Sequence, residues 1–156
     1  MEAINAHDPE AVAALCSETV VWMDPATPDP LQGRGAVRDF HRDVLFRAIP
    51  DVKFELIDGP YLSLDRERAA VRTRFSGTME GPLDPPGFAP TGLPIVFETA
   101  EFWEFDHGLL ARDTVVLNML ALATQVGAVP RPGSFGERMM VLFQHLAARR
   151  TSRQST

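Results

Sequence analysis

A chain of 156 residues with 45% hydrophobic and 23% charged side chains has the size and composition of one packed domain rather than a disordered segment. Its formal net charge of −6, from 15 basic against 21 acidic side chains, repels phosphate backbones, and no Lys/Arg cluster is dense enough to reverse that, so nucleic acid is excluded as a partner. A lone cysteine, Cys16, excludes an internal disulfide and a cysteine-based zinc site, and no apolar run approaches the roughly 20 residues needed to span a bilayer.

Taken in chain order, Asp8-Pro9-Glu10 opens the first helix. Asp8 is a capping residue, Pro9 suits the first turn, and Glu10 favours the positive end of the dipole. Thr19 to Asp24 reads as a strand closed by Pro25, Pro28 and Pro30. After Gly33-Arg34-Gly35 the spacing of Val37, Phe40, Val44 and Leu45 predicts a helix that Pro50 ends. The period then falls to two. Val52, Phe54 and Leu56 alternate with polar residues in a half-buried strand, and Tyr61–Leu64 and Ala69–Thr78 form two more, joined through Asp65-Arg66-Glu67. Residues 82–94 hold five prolines and two glycines and predict irregular structure. A long strand over Ile95–Phe105 turns at Asp106-His107-Gly108 into a last strand over Leu109–Asn118. Helices first and a run of antiparallel strands after them predict an α+β domain with helices packed on one concave sheet. The domain is expected over residues 1–130. Residues 131–156 form a helical extension and tail, in which Ser134-Phe135-Gly136-Glu137 is a capping box and Met139, Leu142, Phe143 and Leu146 make an apolar stripe ending at Arg149 and Arg150.

The start of the chain, Met1 to Asn5, lacks the basic and apolar regions of a signal peptide. A cytoplasmic protein with no membrane partner is therefore expected. The histidines at 7, 41, 107 and 145 fall on caps, helix faces and a turn, with no metal-ligand spacing, and no nucleotide-binding glycine motif or nucleophile elbow is present. Chemistry without a cofactor or metal is expected.

Several segments together resemble the SnoaL-like polyketide cyclases and ester cyclases of the nuclear-transport-factor-2-like superfamily. They are Asn5-Ala6-His7-Asp8 before Ala13-Ala14-Leu15, Val20 to Pro25, Gly33 to Val37, Phe75 to Gly81, Pro90-Thr91-Gly92, and Leu122 to Gly127. Each segment is weak alone, and the ordered set is specific for the fold rather than for one chemistry. The resemblance implies a cone-shaped, curved antiparallel or mixed sheet wrapped around helices and enclosing a deep apolar pocket. It also implies a homodimer formed through the outer sheet face. Three departures stand out. Relatives carry two or three further helical turns before Asn5, Met79 stands where many have a histidine, and Asn118 stands where many cyclases have an acid.

The resemblance also implies site residues. Asp24, at the end of the first strand, is where ketosteroid isomerases and some ether cyclases place an aspartate base. Glu101 falls where relatives keep an inward acid. Burial against an apolar cavity raises a carboxyl pKa toward the working range of acid–base catalysis, so Asp24 and Glu101 are the expected catalytic pair. The plainer readings are a strand-to-loop turn residue for Asp24 and a solvated strand carboxylate for Glu101. Period two places Trp22 on the face of Asp24, and Thr99 and Trp103 on that of Glu101. Asn118 is expected to line the pocket without exchanging protons, with Thr114 on its face, and Arg72 is expected to contact the substrate. The resulting expectation is a cofactor-independent cyclase or isomerase acting on an apolar, polyketide-like small molecule in secondary metabolism. Two alternatives stand beside it: an epoxide-opening hydrolase or pyran cyclase, and a non-catalytic ligand-binding or dimerisation module.

Overall fold

The computed structural model describes residues 1–152, with side chains through residue 148. A short helix α1 (Glu2–Asn5) precedes α2 (Pro9–Ala14), whose cap is Asp8 accepting from the Ala11 amide at 3.0 Å. Strand β1 (Cys16–Met23) follows, then a two-residue β2 (Leu31–Gln32). The helix expected after Gly33 is α3 (Gly33–Phe40), a π-helical turn over His41–Leu45, and α4 (Phe46–Ala48). Four strands complete the sheet: β3 (Lys53–Leu62), β4 (Arg68–Thr78), β5 (Pro94–Asp106) and β6 (Leu109–Leu117). Two helices end the chain, α5 (Met119–Gln125) and α6 (Phe135–Ser152).

The six strands form one curved, unclosed sheet in the order β2-β1-β6-β5-β4-β3. The β1–β6 pair is parallel and the others antiparallel, so the sheet is mixed. Tyr61 and Leu62 do not start a strand of their own. They continue β3 beyond register shifts between Leu56 and Tyr61, pairing with Ala70 and Ala69. Such bulges bend and twist a strand, which here lets β3 follow the curvature of β4. Residues 82–93 hold no helix or strand beyond an isolated bridge between Leu83 and Phe88, and β5 begins at Pro94.

The concave face divides into two apolar clusters. Ile49, Val52, Met79, Ile95 and Leu122 gather where the second helical segment meets β4, β5 and α5, and Val12, Val20, Trp22, Val37 and Val115 gather where α2 and α3 meet β1 and β6. Met79 is fully buried in the first cluster, so the side chain standing in place of a histidine is a core residue. Gly81 lets this packing close. A Cβ there would lie 2.2 Å from the Arg47 carbonyl oxygen, which is fixed backbone at the end of α4. Gly81→Ala therefore lowers stability by about 1–3 kcal/mol through overpacking, read as a lower urea midpoint at unchanged slope.

Helix α6 stands apart from this core. Of the expected stripe, Leu142, Phe143 and Leu146 are exposed and Met139 is half-buried, so most of it is uncovered by the body of its own chain among the described residues. The Arg149 and Arg150 side chains, and residues 153–156, lie outside the described part. No helix of the described residues is long and apolar enough to cross a membrane.

Candidate functional site

Alternation along β5 turns Thr99, Glu101 and Trp103 to the concave face and Glu98, Phe102 and Glu104 outward. Glu101 sits in mid-strand and is 5% exposed. Thr73, inward on β4 and opposite Thr99 in the register, donates to Glu101 Oε1 at 3.0 Å, Thr99 donates to the same oxygen at 2.8 Å, and Trp103 Nε1 donates to Oε2 at 3.2 Å. The two threonine hydroxyls also contact each other. Burial raises the Glu101 pKa, opposed by its three donors, and the nearby Asp24 charge adds to the rise.

Asp24 follows the last residue of β1 and is half-buried. Its Oδ1 accepts from the Ala26 amide at 2.8 Å and its carbonyl accepts from Thr27 at 3.0 Å. It is thus a turn residue and a chamber residue at once, since it lines the same cavity as Glu101. Burial raises its pKa also, with the Ala26 amide opposing. The Trp22 indole favours the charged form of Asp24, yet its buried Nε1 completes no hydrogen bond of good geometry.

The concave face holds two chambers. The first, of about 70 Å³, is walled by Phe40, Leu45, Phe75 and Leu122 and receives Asp24, Thr99 and Glu101. The second, of about 190 Å³, lies toward α1 and α2 and receives Glu101, Trp103 and Asp113. Ile4, Trp22 and Glu101 belong to both, so Trp22 and Glu101 stand at the partition.

Three of the expected contact residues lie elsewhere. Arg72 does share a face with Arg74, but it is the outer face, because the fully buried Thr73 between them points inward. Both arginines pair there with Glu98, at 3.0 and 2.8 Å. Thr114 and Val116 point outward on β6, whereas Asp113 and Val115 point inward. Asn118 is exposed and caps α5, accepting from the Ala121 amide at 3.0 Å. It is no part of either chamber wall. The reversal on β6 has one cause. Glu104 pairs with Arg112 and Phe105 with Leu110, leaving Ala111 as an extra residue, and a bulge flips the face of everything beyond it. A regular ladder from the Asp106–Leu109 pair would have set Thr114 opposite Glu101; the bulge sets Val115 there and Asp113 opposite Trp103.

Two site residues were missed. Asp113 is fully buried, and Trp103 Nε1 donates to its Oδ2 at 3.2 Å, so one indole N–H is shared between Glu101 and Asp113. Burial first, and then the neighbouring acid Glu101, push the Asp113 carboxyl up to about 9. His41 is 2% exposed, lies in the wall of the first chamber, and meets Trp22 edge-on at 5.3 Å. Its Nδ1 is 2.8 Å from the Val37 carbonyl, which fixes the proton on Nδ1 and leaves Nε2 an acceptor. Burial lowers its pKa, so the ring is neutral. The signal was present: His41 lies four residues beyond Val37 and four before Leu45, on the buried helix stripe. Among the described residues no group of three His, Cys, Asp or Glu is arranged to hold a metal ion.

Solved structures of similar shape cover most of the chain. TsrD from Streptomyces laurentii is 24% identical, with a TM-score of 0.67 over 81% of this chain and 87% of its own. A protein of Xanthomonas campestris pv. campestris assigned to the polyketide cyclases is 21% identical, with a TM-score of 0.66 over 81% and 90%. SalBIII, an epoxide hydrolase/cyclase-like enzyme of pyran ring formation in the polyether salinomycin, is 20% identical, with a TM-score of 0.61 over 76% and 84%. These likenesses establish the fold. No curated protein matches the chain. A sequence model of the SnoaL-like domain matches residues 1–113, from α1 through the inward carboxyl of β6, and the chain therefore belongs to the SnoaL-like domain family.

Proposed function

We propose that this protein is a cofactor-independent cyclase or isomerase that acts by acid–base catalysis on an apolar, polyketide-like small molecule in secondary metabolism. One observation carries the reading: Asp24 and Glu101 enter a single apolar chamber from different strands, each with its pKa raised by burial. Two carboxyls in one such cavity do not ionise together readily, and the first charge pushes the second pKa further up. Glu101, the more buried, holds its proton against the pull of its three donors; Asp24, half-buried and bonded to an amide, is the carboxylate. In the reaction so read, Asp24 removes a proton from carbon beside a carbonyl while Glu101 donates to the carbonyl oxygen. The resulting enol attacks a second carbonyl carbon to close a ring, breaking that C=O π bond, with the enol O–H proton returned to Glu101 and the proton on Asp24 passed to the new alkoxide; or it is reprotonated by Asp24 at another carbon as the O–H proton returns to Glu101. His41 Nε2 accepts a hydrogen bond from a substrate hydroxyl in the same chamber. The same carboxyl pair suits a second reading, opening of an epoxide to an ether ring, and the shape shared with SalBIII supports it.

The test is proton exchange. A small diketone incubated with the protein in heavy water should lose its α-proton NMR signals faster than with buffer, without added metal or cofactor. No acceleration with any of a set of cyclic and linear diketones would remove the enol reading.

The functional unit is read as a cytoplasmic homodimer. The lone Cys16 thiol fits a reducing compartment. Val96, Phe102 and Val116 expose apolar surface on the outer face of the central strands, and α6 exposes its own stripe, surfaces a second copy would cover. Light scattering at micromolar concentration is expected to give twice the 17.2 kDa chain mass; a mass near that of one chain would exclude the dimer.

A further inference from the structure

The second chamber is the larger cavity, and the acid–base pair leaves its far end unused. At about 190 Å³ it exceeds the roughly 150 Å³ at which an apolar cavity accepts a benzene-sized guest. Val12, Phe54, Phe105 and Leu110 make its wall apolar. Its polar groups are few and convergent: Glu101, Trp103 and Asp113. Asp113 is fully buried, yet its Oδ1 has no hydrogen-bond partner. Trp22, its neighbour across the β1–β6 ladder and 9% exposed, also has an unpartnered Nε1. A buried polar atom without a partner carries a desolvation cost that a bound ligand can relieve.

The geometry points to the second chamber as a ligand-binding lobe that takes an apolar ring carrying one neutral hydrogen-bond acceptor, a ketone or ether oxygen, against the Asp113 carboxyl. This deepens the acid–base reading, because a ring held there places its attached chain past Trp22 and Glu101 into the first chamber. Asp113 is neutral at physiological pH, so its O–H is a donor. The titratable groups facing it are Glu101 on β5 and Asp24 and Cys16 on β1. All are acids, and none supplies a positive charge to hold an anion, so carboxylate ligands are rejected.

Ligand-observed NMR titration tests this with cyclohexanone, toluene and cyclohexanecarboxylate as probes. The wild-type chain should bind cyclohexanone about tenfold or more tightly than toluene, with no binding of the carboxylate. Asp113→Leu should lose the ketone preference, Asp113→Asn should keep it through its amide N–H, and Leu110→Trp should abolish binding of both neutral probes by filling the lobe. Should Asp113→Leu not fold, the wild type at pH 10 substitutes for it: ionised Asp113 loses its donor, so ketone binding falls and toluene binding does not. Equal binding of ketone and toluene, carboxylate binding, a preference that survives Asp113→Leu, or binding that survives Leu110→Trp would each overturn the proposal. Binding without any α-proton exchange would defeat the acid–base reading and leave the lobe standing. Exchange without ketone preference would defeat the lobe alone.

Discussion

Asp24→Asn and Glu101→Gln each lower turnover by about 10²–10⁴-fold, while circular dichroism stays unchanged in both and Asp24→Asn leaves probe binding in the second chamber unchanged. Both substitutions keep volume and remove only the exchangeable proton site. Asp24→Asn takes away the base, and the amide still accepts the Ala26 N–H that shapes the turn. Glu101→Gln takes away the acid, and its carboxamide oxygen still accepts from Thr73 and Thr99. The loss should therefore fall on kcat rather than on KM, as expected of groups whose interaction strengthens in the transition state. Because the two act on one proton-transfer step, the double variant should be little worse than the poorer single variant. Full activity of both single variants would reduce the chamber to a binding template.

Asp113→Asn gains stability over the wild type as pH rises from 5 to 8. In the folded chain the Asp113 carboxyl is pushed up to about 9 from an ordinary value of 3.8, with burial the first cause. Between those values the folded state holds a proton that the unfolded state has released, so raising the pH favours unfolding. The slope is up to about 1.4 kcal/mol per pH unit for one such group, and an asparagine removes it. Melting curves should show the variant's Tm advantage widening by several degrees across that range, since about 1 kcal/mol moves Tm by about 2–4 °C in a domain of this size. Asp24 and Glu101 shift in the same direction, so wild-type stability should also decline with rising pH. A Tm difference that does not change with pH would mean that Asp113 titrates alike folded and unfolded.

The residues of the sequence determined the elements and half of the site. Asp8 and Pro9 set the start of α2, the prolines of 82–94 kept that stretch irregular, and strict alternation over Thr99, Glu101 and Trp103 put all three on one face of β5. Asp24 was legible as a strand-end residue because a strand end is a local event, and its place in the candidate site came from the resemblance. Each of these follows from spacing within a few residues, which period two or a cap fixes without reference to the rest of the chain. What the tertiary structure decided depends on pairing. Which side of β4 is concave is set by its neighbours, so Arg72 and Arg74 were visibly on one face but not visibly on the outer one. The Ala111 bulge is invisible in the residues of β6, and it alone exchanges Thr114 for Asp113 at the chamber wall. The start of α5 at Met119 likewise turns Asn118 from a strand residue into a cap. A one-residue slip costs little locally and reverses every side chain beyond it, because the strand period is two; only the register against β5 and β1 fixes which carboxyl is buried.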